Sequence, residues 1–198
     1  MSCKNASLFH RISQEDAPEV LNLIVEIARG ESNKYEYNHD LGVMELDRSL
    51  YGPNYFPVNY CDVPQTWNAS DGDPLDSVVF STHPINSGTL VQGRVVGMME
   101  MDDNGEVDHK ILCVAKKDPR FDHVETVDDL AEYQKKDIKT FFETYKIAQT
   151  GKGTVKVGRF VGPKEAHAFI RECLDAYKEK YNEDEGEDDA CCGGGCGK

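Results

Sequence analysis

Short runs of β-branched and apolar residues, several alternating with polar ones, dominate the chain up to residue 115, and this pattern restricts the fold more than any other feature. A period of two places successive side chains on opposite faces of a strand. The segment between Tyr51 and Pro74 is rich in Pro, Asn, Tyr and Gly, and we predict an ordered loop there. We predict strands over residues 21–28, 34–37, 43–46, 77–81, 89–101, 109–115 and 155–160.

Two later segments carry apolar residues at helical spacing. The first begins at Thr126, a suitable N-cap residue, with Asp128 and Asp129 in its first turn. The second begins at Pro163, which favours the first position of a helix. Short strands followed by two helices predict an α+β, mainly β fold, in which a small barrel or sheet has both helices packed outside it.

The chain of 198 residues is long enough for one domain with its own core. We expect a loosely attached leader over residues 1–19, a folded domain over residues 20–181 and a flexible tail over residues 182–198 that is acidic and then rich in Cys and Gly. No apolar run suits a signal peptide or a membrane span, so we expect a cytoplasmic protein. An odd cysteine count of seven argues against a disulfide framework.

The formal net charge is −14, and because residues 183–198 account for −5 of it, the body carries −9. A body this acidic argues against nucleic acid as the main partner, since phosphate contacts need a basic surface. A small phosphate substrate remains compatible with it, because bound Mg²⁺ can turn carboxylates into a phosphate site.

The segment from Asp71 to Asp76 is the most informative one for chemistry. Its three carboxylates, on Asp71, Asp73 and Asp76, repel one another unless a cation lies among them. Hard oxygen ligands at this density suit Mg²⁺, which binds a few carboxylates and keeps several waters. A solvated Asp-Gly turn is the alternative for the motif taken alone. An EF-hand is excluded, because the loop positions that need a ligand and a final Glu hold Leu75 and Thr82.

A second acidic segment runs from Asp103 to Lys110 and would be an ordinary polar hairpin by itself. Other charged and phenolic residues accompany the two segments, and together they make a phosphate-and-metal site the better interpretation. They are Glu26, Lys34, Glu36, Arg48, Tyr60, Tyr145 and Lys146.

With these motifs the sequence resembles the family I soluble inorganic pyrophosphatases over roughly residues 20–180. The segment Asp71–Asp76 matches that family's D-[SGDN]-D-P-[apolar]-D signature, and the other motifs follow in the family's order. They are Glu26 after an apolar strand, Lys34-Tyr35-Glu36, Asp47-Arg48, Pro57-Val58-Asn59-Tyr60, Pro64-Gln65-Thr66-Trp67, Asp103…Asp108-x-Lys110 and Phe141-Phe142-Glu143-x-Tyr145-Lys146.

The resemblance implies a five-stranded, OB-like closed β-barrel whose residues 20–181 form the catalytic domain. It implies Mg²⁺-dependent hydrolysis of pyrophosphate to two orthophosphates, in which a metal-bridged hydroxide attacks phosphorus. Asp73 would be the general base and Glu36 an orienting residue. The implied metal ligands, several ions per site, are Asp71, Asp76, Asp103, Asp108 and Glu26. The implied phosphate-binding residues are Lys34, Arg48, Tyr60, Lys110, Tyr145 and Lys146.

The chain departs from the family at Cys61, where members usually carry Gly after the tyrosine. A lost glycine can remove a positive-φ option, and a cysteine beside the site can introduce sensitivity to oxidation. The resemblance also implies a homo-oligomer, a hexamer or a dimer, since the chain mixes features of short and long members. A protein that binds divalent cations or phosphate but has lost hydrolysis is the alternative function.

Overall fold

The computed structural model describes residues 7–39 and 41–182. The described residues form nine strands, which are β1 (Val20–Ile27), β2 (Asn33–Asn38), β3 (Val43–Ser49), β4 (Asn59–Asn68), β5 (Asp73–Phe80), β6 (Leu90–Asp103), β7 (Glu106–Val107), β8 (Lys110–Ala115) and β9 (Val155–Val161). The α-helices are α1 (Leu8–Arg11), α2 (Glu132–Thr144), α3 (Ile147–Thr150) and α4 (Pro163–Asn182).

Five strands close into a barrel. Their order is β1-β4-β5-β8-β6, and β6 pairs with β1 to complete the ring. All of these pairs are antiparallel except β5 with β8, which is parallel. The predicted five-stranded, OB-like closed barrel is therefore confirmed, and closure leaves these strands with no free edge.

Four further strands lie beside the barrel rim. The short β7 and the late β9 both pair with the end of the long β6, while β2 and β3 form a separate two-stranded sheet. The register of β6 shifts between Val95 and Gly97 on β8, which lets its second half turn toward β9. The rim thereby gathers the ends of β5, β6 and β8 beside the β2–β3 hairpin.

The two faces of the barrel strands bury side chains against different helices. One face packs Tyr60, Val78 and Leu112 together with Ile138 and Phe141 of α2. The other packs residues such as Cys61, Val79 and Cys113 against Ala166, Ile170 and Cys173 of α4. The buried apolar residues of β5 and β8 alternate between the two clusters, as a period of two requires, and the predicted packing of two late helices outside the barrel is observed.

The loop predicted between Tyr51 and Pro74 is wrong for residues 59–68, because Asn59–Asn68 forms strand β4 of the barrel, between β1 and β5. Its alternation is hidden by buried polar residues, Asn59, Asp62 and Thr66, and by Pro64. The strand is also interrupted at Gln65, where φ is +58° and the pairing with β5 is irregular. A strand that carries site residues thus has an amino-acid composition typical of a loop.

The predicted first helix begins later than Thr126. Thr126 caps a single 3₁₀ turn over Val127–Asp129, and the chain is then extended at Leu130 and Ala131 before α2 begins at Glu132. The second helix begins at Pro163 as predicted and runs to Asn182. No helix within the described ranges is long and apolar enough to cross a membrane.

The described part of the leader is packed rather than loosely attached. Phe9 of α1 is buried against Ile24 and Tyr37, and His10 Nδ1 lies 2.6 Å from the hydroxyl of Tyr177 on α4. The apolar ring of Phe9, which the sequence pattern left out of any strand or helix, explains the attachment. The tail expected after α4 lies outside the described residues from position 183 onward.

Candidate active site

Asp76, near the start of β5, is at the centre of a group of ionisable side chains. The parallel pairing of β5 and β8 brings Asp76 next to Lys110, and the Lys110 ammonium forms ion pairs with both Asp76 and Asp108. Lys110 is fully buried, which lowers its pKa, but the charges of Asp76 and Asp108 outweigh burial and raise it above its ordinary value. A cation thus already lies between two of the predicted metal ligands.

The turn from β4 to β5 holds Asp71 and Asp73 beside this group. Gly72 has φ of +75°, which a side chain would strain, and its N–H donates to the carbonyl of Asn68. The Asn68 amide donates to Asp71 Oδ2 at 2.8 Å, and the Asp73 N–H donates to Asp71 Oδ1 at 3.1 Å. Both Asp71 oxygens are therefore oriented by the turn itself.

The carboxyl groups of this turn are harder to ionise than usual. Burial, and then the charge of Asp108, raise the pKa of Asp71 to about 7. Burial, and then the charges of Asp76 and Glu36, raise the pKa of Asp73 to about 6. Burial is also the largest cause of the raised pKa of Asp108. Closely placed carboxylates that resist ionisation are the electrostatic environment in which a divalent cation binds favourably.

Glu26, at the end of β1, faces the same cavity from the barrel wall. It is 8% exposed, and its Oε1 accepts a hydrogen bond of 2.7 Å from the N–H of Tyr37. Burial, and then the charge of Asp76, raise the pKa of Glu26 to about 8. The β1–β4 register shifts at this point, between Val25 and Ile27, so Glu26 occupies a bulge.

The β2–β3 hairpin carries cations to the rim. Lys34 forms an ion pair with Glu36, two residues along the same strand face, and lies 3.3 Å from Asp47 Oδ2. Arg48 pairs with Asp47 and lies opposite Lys34 in the register of the hairpin. The charges of Lys34 and Glu36 act on both Glu26 and Asp73, so the hairpin closes one side of the cavity.

The opposite side is formed by the end of α2. The ring of Tyr145 stacks on Phe141 with 5.0 Å between centroids, and Lys146 forms an ion pair with Asp103 at the end of β6. Tyr60, buried on β4, is hydrogen-bonded to Asp76, and Tyr145 is among the groups whose charge acts on it. The side chains of the residues predicted from the sequence are therefore connected, directly or through a shared neighbour, by ion pairs, ring contacts or charge interactions.

The residues present fit divalent cations. Their donors are carboxylate oxygens, which Mg²⁺ prefers, and phosphate-binding cations surround them. Within residues 7–39 and 41–182, however, no three His, Cys, Asp or Glu side chains are arranged to hold an ion as they stand. The Lys110 ammonium instead neutralises Asp76 and Asp108.

The chain that forms this site is similar to proteins of one known family. A family model described as inorganic pyrophosphatase matches residues 23–178. The chain belongs to the inorganic pyrophosphatase family. Members of this family are enzymes that hydrolyse pyrophosphate, and this chain is accordingly an inorganic pyrophosphatase by membership.

Individual inorganic pyrophosphatases are similar to this chain over most of its length. The inorganic pyrophosphatase of Thermus thermophilus is 43% identical over 165 residues, which cover 83% of this chain and 94% of that protein. That of Geobacillus stearothermophilus is 41% identical over 162 residues, covering 82% and 96%. A solved pyrophosphatase structure from Neisseria gonorrhoeae superposes with a TM-score of 0.82 at 32% identity, covering 87% of this chain and 99% of that one.

Cys61 does not disturb the backbone of this pyrophosphatase. Among the described non-glycine residues only Gln65 and Asn104 have positive φ, so Cys61 has no need of a glycine conformation. Its side chain is fully buried toward α4, and burial raises the pKa of its thiol well above the ordinary value. A thiol that is buried and protonated reacts slowly with oxidants.

Three residues of the cavity were not predicted. Asp47 pairs with both Lys34 and Arg48, and Asn68 orients Asp71. Asp62 is 4% exposed, and burial, followed by the charges of Glu26 and Asp76, raises its pKa well above the ordinary value. The spacing of two from Tyr60 would have pointed to Asp62 if β4 had been recognised as a strand.

Proposed function

We propose that this pyrophosphatase hydrolyses inorganic pyrophosphate to two orthophosphates with Mg²⁺ as cofactor, at the cavity centred on Asp76. The observation that carries the proposal is the convergence of carboxylates with raised pKa values and phosphate-binding cations in one cavity of the barrel rim. Such an arrangement suits a strongly anionic substrate whose hydrolysis depends on charge neutralisation and positioning.

The metal ligands in this proposal are the carboxylates of Asp71, Asp76, Asp103, Asp108 and Glu26. When bound, Mg²⁺ neutralises substrate charge and lowers the pKa of the attacking water. The turn supports Asp71 as a ligand, because Asn68 and the Asp73 N–H fix the positions of its two oxygens. Asp103 is held at the other side by Lys146 and by the hydroxyl of Thr154, which donates to Oδ1 at 3.2 Å.

Asp73 is the proposed general base. Its side chain lies at the open mouth of the cavity, and a pKa of about 6 leaves it mostly ionised near pH 7 yet basic enough to take a proton from water. Glu36 and Lys34 lie across the mouth from it and orient the substrate and the hairpin.

The remaining cationic and phenolic groups bind the phosphates. Arg48 can offer two parallel N–H donors to one phosphate, whereas Lys34, Lys110 and Lys146 act as single charges. Tyr60 and Tyr145 donate hydroxyl hydrogen bonds, and the raised pKa of Tyr60 keeps its proton in place. In this proposal Lys110 leaves its two carboxylates when cations bind and turns to a phosphate oxygen.

Phosphate release from pyrophosphate tests the proposal. The purified protein is assayed with Mg²⁺, with EDTA in its place, and with ATP as a competing phosphoanhydride. We expect release from pyrophosphate that requires Mg²⁺ and is abolished by EDTA. A folded protein that binds pyrophosphate and Mg²⁺ but releases no phosphate would replace the enzyme by the binding-protein alternative.

The proposal also includes the cellular compartment and the oligomeric state of the enzyme. We place it in the cytoplasm, where biosynthetic reactions release pyrophosphate, and expect a homo-oligomer, a hexamer or a dimer. Light scattering coupled to gel filtration gives the mass of the assembly, and a single species of the chain mass of 22.2 kDa would contradict the oligomer.

A further inference from the structure

Asp62 lies on the face of β4 that borders the active-site cavity. It is two residues from Tyr60, so both side chains point to the same side, while Cys61 points to the cluster under α4. Its cross-strand partner on β5 is Asp76 and its partner on β1 is Ile24. Residues directly opposite one another have Cβ atoms about 4.5–5.5 Å apart, so Asp62 and Asp76 are immediate neighbours.

Glu26 completes this acidic side of the cavity. Its carboxylate accepts a hydrogen bond from the N–H of Tyr37, whose ring packs with Ile24, so Glu26 lies on the side of β1 that Ile24 occupies opposite Asp62. Three carboxyl groups, from three adjacent barrel strands, thus face one another, and like charges opposite each other in a sheet are destabilising.

The described protein offers Asp62 little compensation for its charge. The side chain is 5% exposed, and its Oδ2 accepts no hydrogen bond within the described residues. His39 Nε2 lies 3.6 Å from this oxygen, too far for a hydrogen bond but close enough for an ion pair when the imidazole is protonated. Asp62 thus combines a buried oxygen that accepts no hydrogen bond with a position directly opposite Asp76, and these are the surroundings of a cation ligand.

We propose that Asp62 is a further cation-binding residue of this site, which holds a hydrated divalent cation together with Glu26. The ion keeps several waters, because the carboxylates are not arranged to coordinate it directly and Mg²⁺ is usually bound through few carboxylates. This inference rests on the proposed function for the identity of the cavity, but it concerns cation affinity and needs no turnover to be tested.

The test compares Mg²⁺ binding by wild type, Asp62→Asn and Asp175→Asn in isothermal titration calorimetry without pyrophosphate. Asp175→Asn is the charge-matched control, since Asp175 is exposed on α4 and paired only with Lys178 among the described residues. We expect Asp62→Asn to weaken Mg²⁺ binding at one class of site by about 10-fold or more, as loss of a supporting carboxylate typically does. The control should bind like wild type.

A second measurement distinguishes the loss of the Asp62 charge from a defect in folding. Urea denaturation without Mg²⁺ should show Asp62→Asn at least as stable as wild type, because one repulsion is removed. The stabilisation gained on adding Mg²⁺ should be smaller in the variant. Introduced into Glu26→Gln, the same substitution should cost little more affinity, because the two residues hold one ion.

Unchanged Mg²⁺ affinity in folded Asp62→Asn would overturn the inference and would make Asp62 a buried acid that keeps its proton. If the wild type hydrolyses pyrophosphate with Mg²⁺ while Asp62→Asn binds Mg²⁺ normally, only this inference fails. If the wild type binds no Mg²⁺ at all, the inference and the metal requirement of the proposed function fail together.

Discussion

At the scale of single residues, Asp73 differs from Asp76, Asp103 and Asp108 in its partners. Asp76 and Asp108 share Lys110, and Asp103 pairs with Lys146, whereas Asp73 forms no ion pair with any described residue. Asp73 is also exposed to solvent, so a water can reach it. A carboxylate that has no ion-pair partner and a pKa raised to about 6 is well suited to accept a proton from water.

We therefore expect Asp73→Asn to lose most turnover while keeping its cations. Loss of a general base typically costs about 10²–10⁴-fold in rate. Turnover is measured by phosphate release at saturating Mg²⁺, and cation binding by calorimetry on the same preparation. Near-normal turnover would remove Asp73 from the role of base, and a parallel loss of Mg²⁺ binding would make it a ligand.

At Cys61 we expect a substitution to change the stability of the protein rather than its activity. Cys61→Gly restores the residue usual in the family but removes a fully buried side chain and adds backbone freedom within β4. We expect a loss of about 1–2 kcal/mol in the free energy of unfolding, with kcat and KM unchanged. Cys61→Ala is the control for the backbone contribution, and a changed KM without a loss of stability would show that the thiol acts on the site.

At the scale of elements, Gly97 pairs with β8 and lies one residue before strand β6 begins to pair with β9. A Cβ at this position would lie 2.4 Å from the carbonyl oxygen of Val161 on β9 and 3.0 Å from Val127. We expect Gly97→Ala to push β9 away and to destabilise the protein by about 1–3 kcal/mol, measured by urea denaturation. Gly153→Ala is the control, since its nearest neighbour would be at an ordinary 3.5 Å, and equal stability of both variants would contradict the argument.

The strands and helices differ in how well the sequence pattern predicts them. The strands with clear apolar runs, such as β1 and β8, and both long helices follow from periodicity, because one face of each is buried. Strand β4 does not, because Asn59, Asp62 and Thr66 are buried polar residues that serve the site or its support. Barrel closure joins β1 to β6 across some seventy residues of chain, and only the family resemblance, not local pattern, predicts it.

The candidate site was predictable as a set of residues but not as a geometry. The motif spacing selects Asp71, Asp73 and Asp76, while their grouping with Glu26 depends on the β1–β4–β5 pairing. Asp62 was missed for the same reason, since its direction depends on a strand that was not recognised. Tertiary pairing of strands, rather than local sequence, decides which carboxylates meet.

At the scale of the whole molecule, the acidic cavity makes stability depend on pH and on cations together. The folded pKa values of Asp71 and Glu26, about 7 and about 8, exceed the ordinary values of 3.8 and 4.5. A raised pKa means that the folded state holds the proton longer, so this contribution to stability is complete below pH 4 and is lost as the pH rises through 7 and 8.

We expect the urea midpoint of the metal-free protein to fall as the pH rises from about 6.5 to 8, because the folded protein still holds protons on Asp71 and Glu26 that the unfolded chain has already lost. The lowered pKa values of His10 and His167 act in the opposite direction, but their contribution is complete near pH 6.5. Mg²⁺ should flatten this dependence, since it binds the ionised carboxylates of the folded state. Both titrations are followed by tryptophan fluorescence or circular dichroism. A metal-free protein whose stability rises over this range would contradict the assigned crowding of carboxylates.

The most direct measurement is anomalous diffraction from crystals soaked in Mn²⁺, an octahedral oxygen-seeking substitute for Mg²⁺. The account predicts two peaks about 3.5–4 Å apart between the Asp71–Asp76 turn and Asp108, with the Lys110 ammonium displaced from its two carboxylates. Peaks confined to the protein surface, with Lys110 still between Asp76 and Asp108, would contradict it.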